Sequence, residues 1–205
     1  MAFTLIQKIV GSWPMNAYLL IDQATASSAI VDPGAEAEAI LSLLAGTRVA
    51  AILVTHGHID HVGALSEVKE ATNAPVYINP LDASTFKLDV DIPLEDGTII
   101  SIGEEQLRAI HTPGHTPGMT CLDLGDSRIL VGDIIFVGGP GKTWSRKDFA
   151  TTMRTMQEIV FTWPDETRFY PGHGPSGTIG QERLAFEAFV ARGWPRKLHG
   201  DVTWE

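Results

Sequence analysis

Apolar and polar positions along this 205-residue chain follow two rhythms, and both predict regular elements. Short apolar runs bounded by turn residues, read as strands, fall at 3–10, 17–22 and 28–31, then at 49–54, 76–78 and 98–102. Others follow at 107–110, 119–124, 129–131, 134–137 and 168–170. Helical spacing appears where Ala37, Ile40, Leu41, Leu44 and Ala45 form a stripe stopped by Gly46, and again over 62–72. It returns at Phe149, Met153, Met156, Val160 and Trp163, ending before Pro164, and over 179–191. The stretch 80–94 carries no clear period beyond a helical turn near 83–86. Strand runs interleaved with helices predict a layered α/β architecture in which two sheets lie between helices. With no internal repeat, linker or low-complexity tract, residues 1–205 are expected to form one domain.

Composition narrows the function classes. Hydrophobic content of 44% and charged content of 20% suit a globular protein with a sizeable core. A net charge of -10 without a Lys/Arg run disfavours nucleic acid as partner, because the phosphate backbone would be repelled. No apolar run approaches the ~20 residues of a membrane span, and the first ten residues lack a signal-peptide pattern. A single Cys121 excludes an intramolecular disulfide framework. A soluble, cytoplasmic protein, monomer or homodimer, is the expectation.

The strongest chemical signal lies directly behind the apolar run 49–54. In Thr55-His56-Gly57-His58-Ile59-Asp60-His61, three imidazoles and a carboxylate crowd the loop joining a buried strand to a helix. Neutral imidazole and carboxylate are ordinary ligands for zinc and related metals, so the loop is expected to bind metal. Three further ligand types stand at predicted strand ends or in tight loops. They are His115 in Thr112-Pro113-Gly114-His115-Thr116-Pro117-Gly118, Asp133 after Gly132, and His173 in Pro171-Gly172-His173-Gly174-Pro175.

This set resembles the metallo-β-lactamase superfamily, marked by a His-x-His-x-Asp-His loop followed by a later His, Asp and His. The likeness extends from Asp32-Pro33-Gly34 to Pro171-Gly172-His173-Gly174-Pro175. It implies a four-layer αββα sandwich with two mixed sheets flanked by helices. It also implies two adjacent metal sites, His56, His58 and His115 in one, Asp60, His61 and His173 in the other, with Asp133 bridging. Two zinc ions are implied, with iron or manganese as other occupants. The wording around His111 to Thr116 and from Pro171 to Arg183 resembles single-domain (type II) glyoxalase II, a hydrolase of hydroxyacylglutathione. That likeness implies a small-molecule thioester substrate, Asp60 and Asp133 as catalytic groups, and Lys142 as a substrate contact on the thiol-carrier side. The chain's length does not predict the C-terminal helical domain that helps longer glyoxalases II bind glutathione.

Two other activities fit the same ligands. A persulfide dioxygenase would hold one iron on His56, His115 and Asp133, the two-His-one-carboxylate triad that leaves positions for O₂. A lactone hydrolase would keep the metal pair and change the substrate. Cys121, outside any ligand motif, is expected to be a small core residue, and Met153 and Met156 core as well. His111 is expected to hold structure by hydrogen bonding, His199 to be exposed, and Trp144 and Phe136 to line a pocket mouth or pack in the core.

Overall fold

In a computed structural model describing residues 2–205, the chain builds two six-stranded sheets and a two-stranded hairpin. The first sheet holds β1 (Thr4–Val10), β2 (Met15–Asp22), β3 (Ser27–Val31), β4 (Arg48–Leu53), β5 (Val76–Ile78) and β6 (Ile92–Pro93) in sequence order. Its first three strands are antiparallel and its last four run parallel. The second sheet is ordered β14 (Gly177–Thr178), β13 (Arg168–Pro171), β10 (Arg128–Gly132), β9 (Thr120–Asp123), β8 (Glu105–His111), β7 (Ile99–Ile102). There only β10 and β13 are parallel.

The period-two alternation of each central strand explains the layering. On β2, Tyr18 and Leu20 face the second sheet while Ala17, Leu19 and Ile21 face helices. On β10, Leu130 joins the inter-sheet core and Ile129 and Val131 turn outward. A strand apolar on both faces can only be buried on both, which is why these runs read as continuous rather than alternating. Helices α1 (Ala37–Ser42) and α3 (Leu65–Thr72) cover the first sheet through Ile40, Leu65 and Val68. Helices α5 (Arg146–Glu158) and α6 (Ile179–Arg192) cover the second through Phe149, Met153, Met156, Phe186 and Phe189. The result is the four-layer αββα sandwich.

Four stretches depart from the sequence reading. The helix expected over 62–72 is broken into α2 (Ile59–Val62) and α3. At the break the Ala64 amide donates to the Pro33 carbonyl at 2.9 Å, and a Cβ on Gly63 or on Gly34 would collide with the other segment's backbone. Residues 80–94, where only a helical turn near 83–86 is expected, contain the full helix α4 (Pro80–Phe86) and β6; Asn79 caps the helix and Pro80 opens it. The helix expected to reach Trp163 ends at Glu158, with a 3₁₀ turn over Val160–Thr162, because Pro164 forces Trp163 into extended backbone. The expected strand 134–137 shrinks to β11 (Ile135–Phe136), paired with β12 (Gly139–Pro140) in the hairpin. Among the described residues, no helix is long and apolar enough to cross a membrane.

Candidate metal centre

The seven predicted ligand side chains come from both sheets and meet at one edge of the sandwich. His56, His58, Asp60 and His61 occupy the β4–α2 connection and the first turn of α2. His115 lies in the β8–β9 loop, Asp133 just past β10, and His173 just past β13. Gly132, at φ 49°, turns the chain so that Asp133 leaves the strand pointing inward.

Donor atoms of His56, His58 and His115 form one group able to hold a metal ion, and those of Asp60, His61 and His173 another. In the first, His58 Nδ1 is 3.1 Å from His56 Nε2 and 2.9 Å from His115 Nε2. In the second, Asp60 Oδ2 is 2.9 Å from His173 Nε2 and 3.9 Å from His61 Nε2. Asp133 stands between them. One of its oxygens is 3.5 Å from His61 Nε2, the other 3.7 Å from both His115 Nε2 and His173 Nε2.

Backbone and side-chain acceptors set the tautomers. Asp32 accepts from the Thr55 amide at 2.7 Å and the Thr55 hydroxyl at 2.6 Å. That hydroxyl oxygen is thereby left to accept from His56 Nδ1 at 3.2 Å. His61 Nδ1 donates to Asp32 at 3.0 Å, His115 Nδ1 to the Lys142 carbonyl at 2.8 Å, and His173 Nδ1 to the Pro14 carbonyl at 2.7 Å. Each of these four rings therefore turns Nε2 toward the centre, as a metal-ligating histidine does.

A cation fits this arrangement on three grounds. Three ring nitrogens converge in the first group, yet a neutral His58 has one proton to offer two lone pairs. Ligands at ~2.05 Å around a tetrahedral zinc stand about 3.3 Å apart, close to the observed separations. Where Asp133 meets the second group, His61 Nε2 and Asp133 Oδ1 are buried without a hydrogen-bond partner, atoms that a bound ion would satisfy.

The electrostatics divide the site between the His56, His58 and His115 group, held neutral, and the carboxylate-flanked His61 and His173, both raised. Burial, reinforced by the neighbouring imidazoles, holds His56 well below the usual histidine range and His58 down to about 4, so both are neutral at pH 7. Burial likewise lowers His115. For His61, burial is outweighed by the Asp133 and Asp32 carboxylates, which lift it to about 10 in the metal-free protein. The hydrogen bond from His173 brings Asp60 down to about 2. Asp133 also falls, because His61 and its neighbours overcome the burial that would raise it.

Supporting residues that sequence reading passed over hold these loops. Asp82, fully buried, accepts from the Gly57 amide at 2.9 Å, the Thr116 hydroxyl at 2.7 Å and the Gly118 amide at 2.6 Å. It thus ties the loop of His56 and His58 to the loop of His115. Asn16 and Tyr18 on β2 clamp the Pro171 carbonyl at 3.0 and 2.7 Å, fixing the turn that carries His173. Cys121 is buried against Thr112 and Val131, and Met153 and Met156 are core. His111 is partly buried and bonds the Pro117 carbonyl at 2.9 Å. His199, in the tail, is exposed and bonds the Lys197 carbonyl at 2.9 Å.

The centre opens into a cleft of about 630 Å³, where Phe136, Lys142 and Trp144 line the wall. The family model of the metallo-beta-lactamase superfamily matches residues 10–176. The hydroxyacylglutathione hydrolase GloC of Haemophilus influenzae is 30% identical over 196 residues, spanning 85% of this chain and 92% of its own. The probable polyketide biosynthesis zinc-dependent hydrolase BaeB of Bacillus velezensis is 33% identical over 175 residues, spanning 83% and 77%. Among solved structures, TTHA1623 in a di-iron-bound form superposes with a TM-score of 0.70 at 32% identity, over 87% of this chain and 96% of that one. Ligand loops, two-sheet architecture and family match agree: the chain belongs to the metallo-β-lactamase superfamily.

Proposed function

We propose that this protein is a binuclear metallohydrolase that cleaves a thioester. The observation that carries the reading is the set of ring nitrogens gathered at the cleft floor, four Nε2 atoms whose rings are each tethered at Nδ1. His56, His58 and His115 would hold one ion, Asp60, His61 and His173 a second, and Asp133 both. Bound there, a pair of zinc ions supplies Lewis acidity toward a carbonyl and lowers the pKa of water toward ~7.

The chain's own residues do the rest. Asp60, ionised at neutral pH, can accept a hydrogen bond from a water entering the floor. Asp133 sets one oxygen near His61 and the other between His115 and His173. A substrate seated against the apolar walls would displace bulk water, which strengthens every charge interaction below it. A thiolate needs no acid to leave, since its conjugate acid has a pKa of about 8.5, and no general acid is required of the cleft. The names of GloC and BaeB support hydrolysis, and the di-iron form of TTHA1623 supports iron as another occupant.

The test is metal content of the isolated protein together with turnover of thioesters. About two zinc per chain with hydrolysis, abolished in His58→Ala and Asp133→Ala, is the expected result. One iron per chain with persulfide-dependent oxygen uptake and no hydrolysis overturns it in favour of the dioxygenase.

A further inference from the structure

We infer, on the thioesterase reading above, that the cleft selects thioesters of an uncharged, apolar carrier and disfavours glutathione. Four large apolar side chains ring its mouth while standing well exposed: Trp13 at 71%, Ile59 at 79%, Val137 at 50% and Trp144 at 61%. Exposed apolar surface gathered around one opening is costly to leave wet and marks where an apolar group docks. The rings sit directly over the floor, Trp13 with its centroid 5.6 Å from that of His173, Trp144 6.1 Å from that of His58.

Charge points the same way. Among the described residues lining the cleft, Lys142 is the single Lys or Arg. Its ammonium is 3.3 Å from Asp201 Oδ2 and lies 5.1 Å from the centre of the Trp144 ring. Asp201 is not there by accident of a loose tail. Trp204, buried at the tail's end, donates its indole N–H to Glu182 at 3.1 Å and its amide to the Gly138 carbonyl at 2.9 Å. Glu182 also accepts from the Gly138 amide at 2.8 Å, and Thr143 pairs with Gly200. The tail is therefore stitched to the hairpin loop, and it presents Asp201 beside the one cation. Glutathione brings two carboxylates and one ammonium, a net negative charge, and the one Lys or Arg side chain among the described lining residues is already paired with Asp201.

Binding of non-hydrolysable thioethers to the metal-loaded protein, read by tryptophan fluorescence, tests this apart from turnover. S-benzyl-N-acetylcysteamine is expected to bind at least about tenfold more tightly than S-benzylglutathione. Asp201→Asn, by freeing Lys142, should tighten the glutathione probe about threefold, the scale of one exposed ion pair, and leave the neutral probe unchanged. Trp144→Ala should weaken the neutral probe; Trp13→Ala serves if that variant does not fold. Equal or tighter binding of the glutathione probe overturns the inference. Failure to hydrolyse any thioester would instead overturn the thioesterase reading and leave the binding ratio to decide this one.

Discussion

Replacing Asp82 by alanine would remove one acceptor from three donors at once. Its carboxylate is fully buried and takes the Gly57 amide, the Thr116 hydroxyl and the Gly118 amide at 2.9, 2.7 and 2.6 Å. The Thr116 hydroxyl can rotate toward another acceptor, so the two amides set the scale. A buried donor left unpaired costs about 1–3 kcal/mol, which puts Asp82→Ala at about 2–6 kcal/mol. That is a large part of the ~5–15 kcal/mol that holds a domain folded. Asp82→Asn is therefore the sharper variant. It keeps one oxygen for one amide but turns an N–H₂ toward the remaining donors, so a loss of about 1–3 kcal/mol is expected. Because the two bonded loops flank His56, His58 and His115, metal retention should also weaken by about 10–100-fold. Urea unfolding gives the first quantity and competition with a chelator the second. An Asp82→Asn protein matching the parent in both would refute the claim that this carboxylate positions the ligands.

Gly172→Ala should lose metal while keeping the fold, because the added Cβ would overlap Asp133 Oδ1 and the His61 ring; metal analysis beside circular dichroism checks it. Burial pushes the Cys121 thiol up to about 12, so at pH 8 it stays protonated and enclosed, and a thiol reagent should label it no faster than the protein unfolds. Labelling of the native protein at the rate of a free thiol would contradict this. In the metal-free protein His61 keeps its proton up to about pH 10, a stabilising charge fully present below pH ~6.5 and lost as pH rises through 10. Metal entry at pH 7.5 must expel that proton, so calorimetry in buffers of differing ionisation heat should show at least one released per protein molecule, and affinity should climb with pH.

The ligands were legible because their chemistry is carried by residue type. Few side chains can do what His56, His58, His61 and His115 do, and their clustering at strand ends stands out against an ordinary loop. The strands were legible for a related reason: a run buried on both faces, such as Ala51 to Val54, is apolar throughout. Asp82 and Asp32 were not legible as supports. In the chain, Asp82 is one more acidic residue in the first turn of a helix, and Asp32 one more turn former before Pro33. What distinguishes them is which distant donors the fold delivers, 25 to 36 residues away for Asp82. The broken helix at Gly63 has the same cause, a contact with Gly34 that no local period records. Helix α4 was legible only as a turn near 83–86 because, with Leu81 exposed and only Asp82 and Ala83 buried, it shows no apolar stripe, although Asn79-Pro80 is a legible start.

The site also explains why these two sheets stay in register at one edge. His56, His58, Asp60 and His61 follow β4 of one sheet, and His115, Asp133 and His173 follow β8, β10 and β13 of the other. The inter-sheet core of Leu20, Leu53, Ile100, Leu122 and Leu130 is apolar and therefore non-directional; it draws the sheets together without fixing their relative slide. Direction comes from polar contacts that span the seam. Asn16 and Tyr18 of the first sheet hold the Pro171 carbonyl of the second, and Thr120 donates its amide to Thr55 at 2.9 Å. These bonds place the two ligand halves within a few ångströms of each other before any ion binds. Preorganisation of that kind leaves little ordering to be done on metal entry, so binding free energy goes into affinity rather than into assembling the site.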